Sequence, residues 1–275
     1  MKKKIYEEHN LDDKRLPIIF HYDRVFPNRG MISNWHDNIE ILYCTEGAGQ
    51  IICNSVEYNI KKGDLFIINS NALHCAVTDD ILRYYCLIVD LNFLAGNDIQ
   101  AEKMEFDSLV QSKIAADLYE KVVEEIASEE EYRIAGIRAR VLELFVYLSR
   151  NHSQLASDDK NVLVADENIK LAIGYIKANF QQRITLEGIA DEVGLSKYYF
   201  ARTFKKATGM TFVTYLNVIR CRNAKKLLST NKYTIHEIAN MCGFENDSYF
   251  SKTFKSTMGC LPSDLLRQKL ENALK

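Results

Sequence analysis

The chain has 275 residues, a formal net charge of −2 and a hydrophobic fraction of 47%, a composition that predicts a folded protein of about two domains. No apolar run approaches the ~18 residues of a membrane-spanning helix, and Lys2–Lys4 lead into charged residues, so we expect neither a membrane span nor a signal peptide. The seven cysteines are scattered without a C-x-x-C pair, which disfavours disulfides and zinc and is typical of the reducing cytoplasm.

Short strands separated by turns are predicted over residues 17–91. Glycine and Asn/Asp/Ser groups interrupt the apolar segments about every ten residues, and segments 46–49 and 61–64 have the composition of hairpin turns. Many short strands at this spacing predict a sandwich or barrel. The predicted strands are 18–26, 39–44, 50–53, 56–60, 65–68 and 82–91.

The apolar period becomes helical between residues 106 and 151. A stripe that contains Leu118, Val122 and Ile126 predicts one helix, and a stripe that contains Leu144 and Leu148 predicts another. Two such helices carry more apolar surface than a small barrel must cover. We therefore expect a homodimer held by this segment, the alternative being packing within one chain.

A polar stretch over residues 153–166 predicts a linker. It separates residues 1–152, which carry the predicted strands and the two predicted helices, from residues 167–275. The segment 167–275 contains 17 Lys+Arg against 9 Asp+Glu, a net charge of +8, and residues 1–166 contain 18 against 28, a net of −10. A basic domain is attracted to nucleic acid phosphates whatever their sequence.

Residues 186–212 recur as residues 235–262. In each copy apolar residues at offsets 0, 3, 4 and 7 are followed by a glycine, Gly194 or Gly243, and then by a second amphipathic helix. This pattern predicts two helix-turn-helix units. The alternative, a helical solenoid whose apolar residues only build a core, usually requires at least about three copies.

The second helix of each repeat has a polar face that suits contact with DNA. Between the repeats, a helix over 211–229 of roughly 28 Å is comparable with the ~34 Å between successive major-groove segments. The predicted DNA-binding residues are Lys197, Tyr198, Ala201, Arg202 and Lys205 in the first repeat, and Asn246, Asp247, Ser251, Lys252 and Lys255 in the second.

Residues 168–267 carry a specific set of motifs: 176–180 (IKANF), 184–190 (ITLEGIA), 204–209 (FKKATG), 215–220 (YLNVIR) and 248–250 (SYF). On these motifs the chain resembles the AraC family of transcription regulators. The resemblance implies that both recognition helices enter the major groove. It also implies base-facing roles for Tyr198, Ala201 and Arg202, then Asn246, Asp247, Ser251 and Lys252. Ala201 departs from some members, and its methyl group can contact only a thymine methyl.

Residues 35–40 (WHDNIE), Gly47, 63–64 and His74 resemble a cupin barrel, the sensory domain common in that family. His36, Glu40 and His74 are therefore expected to bind an effector. Two alternatives remain: the histidines form internal hydrogen bonds, or the three residues hold a metal. Asn34 stands where metal-binding cupins have their first histidine, so we expect neither a metal nor another cofactor.

The expected fold is α+β, with an N-terminal antiparallel cupin-like β-barrel and appended helices, followed by an all-α domain with two helix-turn-helix units. The expected function is that of a cytoplasmic transcription regulator rather than an enzyme. Its expected partners are double-stranded DNA, a small-molecule effector such as a sugar, the transcription machinery and a second copy of the chain. Two alternatives are a metal-dependent cupin enzyme fused to a DNA-binding module and a DNA-bending protein without a sensor.

Overall fold

The computed structural model describes residues 15–25, 33–155 and 163–266. The chain divides between Val162 and Leu163 into an N-terminal and a C-terminal compact unit. Within the described ranges, no helix combines the length and the apolar character needed to cross a membrane.

The N-terminal unit contains the strands. Most begin and end within one or two residues of the predicted bounds, whereas β6, β8, β9 and β10 were not predicted. They are β1 (Ile18–Val25), β2 (Ile39–Glu46), β3 (Ala48–Cys53), β4 (Val56–Lys61), β5 (Leu65–Ile68), β6 (His74–Val77), β7 (Leu82–Val89), β8 (Met104–Phe106), β9 (Leu109–Val110) and β10 (Ser153–Leu155).

Two antiparallel sheets enclose the core of the barrel. One has the order β1-β7-β2-β5-β9 and the other the order β4-β3-β6. Side chains from both sheets, such as Leu42 and Phe66 from the first and Ile51 and Ala76 from the second, form one buried cluster. The predicted antiparallel barrel is thereby confirmed as two sheets that face each other across a shared core.

Strand β2 lies in the middle of the larger sheet and is buried on both faces. Its odd-numbered residues Ile39, Ile41 and Tyr43 belong to a core on the outer side of the sheet. Because side chains alternate along a strand, Leu42 and Cys44 point into the barrel. Glu40 shares their side, which places a carboxyl group inside an otherwise apolar barrel.

The helices of the N-terminal unit are α1 (Leu91–Ala95), α2 (Lys113–Ala127) and α3 (Arg133–Asn151). Leu144 and Leu148 are fully buried in the outer core with the residues of β2 that face it. The expectation that this stripe forms a dimer interface is wrong, because the same stripe covers the sheet of its own chain. Leu144 and Leu148 follow the alternative, which was packing within one chain.

The boundaries of the expected linker differ from those of the structure. Ser153–Leu155 forms β10 and pairs antiparallel with β8, so it belongs to the N-terminal unit. At the other end, α4 (Leu163–Asn179) begins inside the stretch assigned to the linker. Residues 156–162, between them, lie outside the described residues. Strand pairing through the backbone needs no apolar pattern, which is why the polar sequence concealed β10.

The C-terminal unit is helical in its described part. Helices α5 and α6 form the first predicted helix-turn-helix unit, α8 and α9 form the second, and α7 links them within one residue of the predicted bounds. These helices are α5 (Leu186–Glu192), α6 (Lys197–Thr208), α7 (Phe212–Leu228), α8 (Ile235–Met241) and α9 (Asp247–Met258).

The segment after α4 joins the linking helix to the second unit. Arg220 on α7 donates hydrogen bonds from Nε to the Phe180 carbonyl at 2.8 Å and from Nη2 to the Gln182 carbonyl at 2.9 Å. Gly243, in the turn of the second unit, lies against the same segment. A Cβ atom at Gly243 would come within 2.8 Å of the Phe180 carbonyl oxygen and 2.7 Å of that of Gln181. A side chain at this turn would therefore separate the second unit from the chain that follows α4.

Gly194 and Gly243 provide a matched test of this contact. Both have positive φ, +70° and +80°, but a Cβ at Gly194 would meet no atom within 4 Å. Alanine at either position should cost about 1–2 kcal/mol for the left-handed backbone, and Gly243→Ala should cost at least about 1 kcal/mol more because of its carbonyl contacts. Urea unfolding followed by circular dichroism measures both variants. The fluorescence transition of Trp35, which lies in the N-terminal unit, should not move, and equal losses for the two variants would contradict the contact.

Candidate nucleic-acid interface and effector site

Helix α6 has an apolar face and an exposed polar face. Ser196 caps its first turn by accepting a hydrogen bond from the Tyr199 backbone, and Phe200 and Phe204 are fully buried. The predicted residues lie on the other side, where Tyr198 is 87% exposed. Lys197, Arg202 and Lys205 are also exposed, and Ala201 is half-buried.

Helix α9 repeats this arrangement with Phe250 and Phe254 buried. On its outer side Asp247, Lys252 and Lys255 are exposed and Ser251 is half-buried. Asn246 also caps the helix, because its Oδ1 accepts a hydrogen bond from the Tyr249 backbone at 2.8 Å. Its amide nitrogen is the part left for contact with DNA.

Ser248 is a candidate that the sequence analysis missed. It is exposed and lies 50 residues after Tyr198, which is the offset that relates the two recognition helices. Aligning the repeats residue by residue would have found it. Nearby, the Tyr249 hydroxyl accepts a hydrogen bond from Asn217 Nδ2 at 2.8 Å, so the linking helix supports the first turn of α9.

The two recognition helices differ in charge. Helix α6 contains four basic residues and no acidic one, and α9 contains two basic residues and Asp247. In α6 the Arg202 guanidinium lies 5.8 Å from the centre of the Tyr199 ring. This contact orients the arginine along the exposed face of its helix.

His36, Glu40 and His74 meet inside the barrel. They are 1%, 6% and 2% exposed, and the atoms with which they could ligate a metal all lie within 4.8 Å of one another. Glu40 comes from β2, His74 begins β6, and His36 lies four residues before Glu40. The structure therefore brings together the three residues that the sequence analysis selected.

The hydrogen bonds of the cluster converge on Glu40. His36 Nε2 lies 2.8 Å and His74 Nε2 3.6 Å from Glu40 Oε2, and the Cys86 thiol donates to Oε1 at 3.1 Å. The Nδ1 atom of each histidine lies 3.0 Å from a backbone carbonyl, that of Asn38 for His36 and that of Ala72 for His74. Since carbonyl and carboxylate oxygens only accept, His36 makes both of its bonds when both ring nitrogens carry a proton.

Glu40 is ionised although it is buried. Burial by itself opposes ionisation, but the hydrogen bond from His36 and the charges of His74 and His36 outweigh it. Together they hold the pKa of Glu40 at about 2, below its ordinary value of 4.5. The barrel thus contains a carboxylate whose acceptor sites are directed at groups that a bound molecule could replace.

The same residues fit a divalent transition metal. Two imidazoles and one carboxylate are a recognised ligand set with open positions, and the carbonyl partners of both Nδ1 atoms are the type of contact that orients ligating histidines. The chemistry of the cluster thus suits either a metal or a molecule that offers hydroxyl groups.

A concavity of about 300 Å³ lies on the outer side of the larger sheet. The Tyr43 and Tyr85 rings form one wall, and Glu120 and Glu124 of α2 form another, with Lys62 also lining it. The Tyr43 hydroxyl donates a hydrogen bond to Glu120 Oε1 at 2.6 Å. No sequence motif predicted this concavity, because its walls come from elements far apart in the chain.

Comparison with protein-family models gives two matches. A model described as an AraC-like ligand binding domain matches residues 16–157, and one described as a helix-turn-helix domain matches residues 189–268. The HTH-type transcriptional activator RhaR of Escherichia coli strain K12 is 25% identical over 250 residues, which are 86% of this chain and 88% of the relative. RhaR of Shigella dysenteriae serotype 1 aligns over the same shares of both chains.

Solved structures are similar over different parts of the chain. ToxT from Vibrio cholerae is 19% identical and aligns with 91% of this chain and 98% of its own, with a TM-score of 0.42. The C-terminal domain of AraT, a response regulator from Geobacillus stearothermophilus, is 35% identical over 37% of this chain and 84% of its own, with a TM-score of 0.36. Both scores are below 0.5, so the assignment to a family rests on the family models and the sequence relatives.

The ionised state of Glu40 predicts a pH dependence. A carboxyl group whose pKa is lower in the folded chain stabilises the fold above pH 4.5, and this stability is lost as the pH falls towards about 2. The contribution is on the order of 3 kcal/mol. Urea unfolding of the wild type and Glu40→Gln between pH 5 and 2, followed by Trp35 fluorescence, should show a difference that shrinks as the pH falls. A constant difference would mean that folding does not lower the pKa of Glu40.

Proposed function

The chain belongs to the AraC family of transcription regulators, and we propose that it activates transcription in response to a sugar bound by His36, Glu40 and His74 in the N-terminal barrel. One combination of features carries the proposal. A buried polar cluster lies in a unit of the ligand-binding type, and two exposed recognition faces lie in the DNA-binding unit. Activation is proposed from the relatives, which are transcriptional activators.

We assign two kinds of DNA contact to the recognition helices. Tyr198, Ala201 and Arg202 in the first unit contact base edges, and Lys197 and Lys205 contact phosphates. In the second unit Lys255 contacts phosphates. The residues assigned to base edges there are Asn246, Asp247, Ser248, Ser251 and Lys252. Support comes from their common exposed face on each helix and from the general division of protein–DNA contacts into positioning and reading.

Replacing Arg202 or Lys205 distinguishes recognition of the base sequence from contact with the phosphates. Arg202→Ala should relax the base preference at one half-site and cost about 1–3 kcal/mol if the arginine pairs with guanine, whereas Lys205→Ala should weaken all sequences alike. Selection of DNA from a random pool by the full-length protein, followed by titrations at several salt concentrations, measures both effects. An unchanged selected sequence for Arg202→Ala would remove its base-reading role.

A sugar suits the cluster because its hydroxyl groups can replace the internal hydrogen bonds. In the structure Glu40 accepts from His36 and Cys86, and a ligand hydroxyl can donate to the same oxygens. Rearrangement of these bonds provides two states of the barrel with different affinity for the ligand. Such a difference is what couples a ligand to a distant site, typically by about 1–3 kcal/mol.

Glu40→Gln should selectively impair the response to effector. The charge disappears at nearly constant volume, and each lost charge-assisted hydrogen bond costs about 1.5–3 kcal/mol, so the effector midpoint should rise about tenfold or more. A thermal-shift screen with pentoses, hexoses and deoxyhexoses identifies the probe, and titration of operator binding then measures the midpoint. Operator binding without effector should remain as in the wild type.

Glu46→Gln is the matched control for the same titration. Glu46 lies on the same strand but is exposed and pairs with Arg83, so its replacement should leave the midpoint unchanged. Identical midpoints for the wild type and Glu40→Gln would place the sensing site elsewhere. The concavity at Tyr43 and Tyr85 would then be the next site to test.

A second candidate function follows from the close approach of the three ligating side chains. In this alternative His36, Glu40 and His74 hold a metal for a cupin enzyme fused to the DNA-binding module. Metal analysis of the purified protein distinguishes the two candidates, and we favour a regulator without catalysis because the relatives are transcriptional activators. A third alternative, a DNA-bending protein without a sensor, would show no ligand-induced thermal shift.

We further propose that the regulator acts in the cytoplasm as a homodimer that contacts the transcription machinery. The seven cysteines form no disulfide in the described part of the chain, which supports the reducing compartment. The dimer is proposed from the resemblance to the family, with an interface on exposed parts of the N-terminal unit rather than on Leu144 and Leu148. Light scattering at tens of micromolar tests it, and a monomer there would remove this proposal.

A further inference from the structure

Equivalent side chains bridge the two helices of each helix-turn-helix unit. In the first unit Glu187 on α5 lies 3.9 Å from Lys197, the first residue of α6. In the second unit His236 on α8 lies 2.8 Å from Asp247, the first residue of α9. His236 lies 49 residues after Glu187, and Asp247 lies 50 residues after Lys197. These are the offsets of the repeat, so the bridge is retained while the charge at the start of the recognition helix is reversed.

The bridge of the second unit has a defined hydrogen-bond direction. Since a carboxylate only accepts, His236 Nδ1 carries the hydrogen and donates it to Asp247 Oδ2. On the other side of the ring, Asn240 Nδ2 lies 3.0 Å from His236 Nε2 and donates to it. Both nitrogens of a neutral imidazole are thereby satisfied, and the chain from Asn240 to Asp247 holds the carboxylate in one orientation.

This bridge is too exposed to be a major source of fold stability. The side chains of His236 and Asp247 are 67% and 52% exposed, and exposed pairs of this kind contribute little to stability. What the bridge does determine is the direction of a charged group at the start of the helix that faces DNA.

A carboxylate at this position requires a different DNA partner from a lysine. The ammonium group of Lys197 is attracted to phosphates, whereas Asp247 is repelled by them. Inside the major groove a carboxylate needs a hydrogen-bond donor, and the base contact typical of Asp and Glu is the N4 amino group of cytosine.

We propose that His236 is a positioning residue that directs Asp247 at a cytosine amino group. At this position the second unit would recognise a base, whereas the first unit would contact a phosphate. The inference rests on the proposed placement of α9 in the major groove. Because the two units differ at this position, the two half-sites differ in chemistry, and the chain binds its operator in one direction.

A double-mutant cycle in base preference tests the proposal. The full-length protein first selects its operator from a random pool, and each base is then varied within the half-site of the second unit. Wild-type protein should prefer cytosine at one position, by between about fivefold and a hundredfold. Asp247→Ala should abolish that preference, and His236→Ala should reduce it at least about threefold. His236→Gln, whose amide can donate to Asp247, should retain most of it.

The double variant distinguishes positioning from an independent effect. In the Asp247→Ala background, His236→Ala should change the preference no further, because the group it orients is gone. His236→Ala should also unfold at the wild-type urea concentration. Glu187→Ala, the matched change in the first unit, should leave the cytosine preference intact. Full cytosine preference in either His236→Ala or Asp247→Ala, or additive effects in the double variant, would overturn the proposal.

Two further variants separate failure of this inference from failure of the proposed DNA contacts. If Lys252→Ala and Lys255→Ala leave binding to every sequence unchanged, α9 does not contact DNA, and both proposals are overturned. If these variants weaken binding while the His236–Asp247 coupling is absent, only the role of His236 is overturned. Weakened binding together with the coupling supports both.

Discussion

The peptide carbonyls that follow α4 are the anchor on which the DNA-binding unit depends. Arg220 of the linking helix donates to two of them, and Gly243 of the second turn approaches them more closely than any other residue could. These hydrogen bonds keep the Arg220 guanidinium partly buried, and this burial lowers its pKa. They also hold the linking helix against the segment after α4, which reduces the conformational entropy that binding would cost.

Much of the C-terminal unit was predictable because its signals are local. Helical period, capping residues and a glycine after each short helix occur within a few turns of chain, and α5 to α9 follow them. The N-terminal unit was less predictable where pairing alone makes a strand, as in β8 and β10. The Leu144 stripe shows the limit most clearly. Periodicity identifies an apolar face, but only the fold identifies what covers it.

The features of the candidate sites also differ in how far the sequence predicts them. Residue identity and resemblance selected His36, Glu40 and His74, and alternation along β2 explains why Glu40 points inward. The donation from Cys86 and the carbonyl partners of the histidines depend on packing between strands, so no linear pattern could reveal them. The bridge from His236 to Asp247 was equally hidden, since its two residues belong to different helices. Ser248, in contrast, needed only a stricter alignment of the repeats.

Strand β2 forms a shared wall between two cores, because its side chains alternate between the barrel interior and the outer core. Its even-numbered positions from Glu40 to Cys44 face the barrel, and its odd-numbered positions from Ile39 to Tyr43 face the outer core that includes α2 and α3. A change at an inward position therefore leaves the outward packing surface chemically unchanged. Such a wall allows ligand preference to diverge, by natural variation or by directed evolution, without redesign of the helical layer. A biosensor library confined to the inward positions of β2, β5 and β7 would exploit this separation.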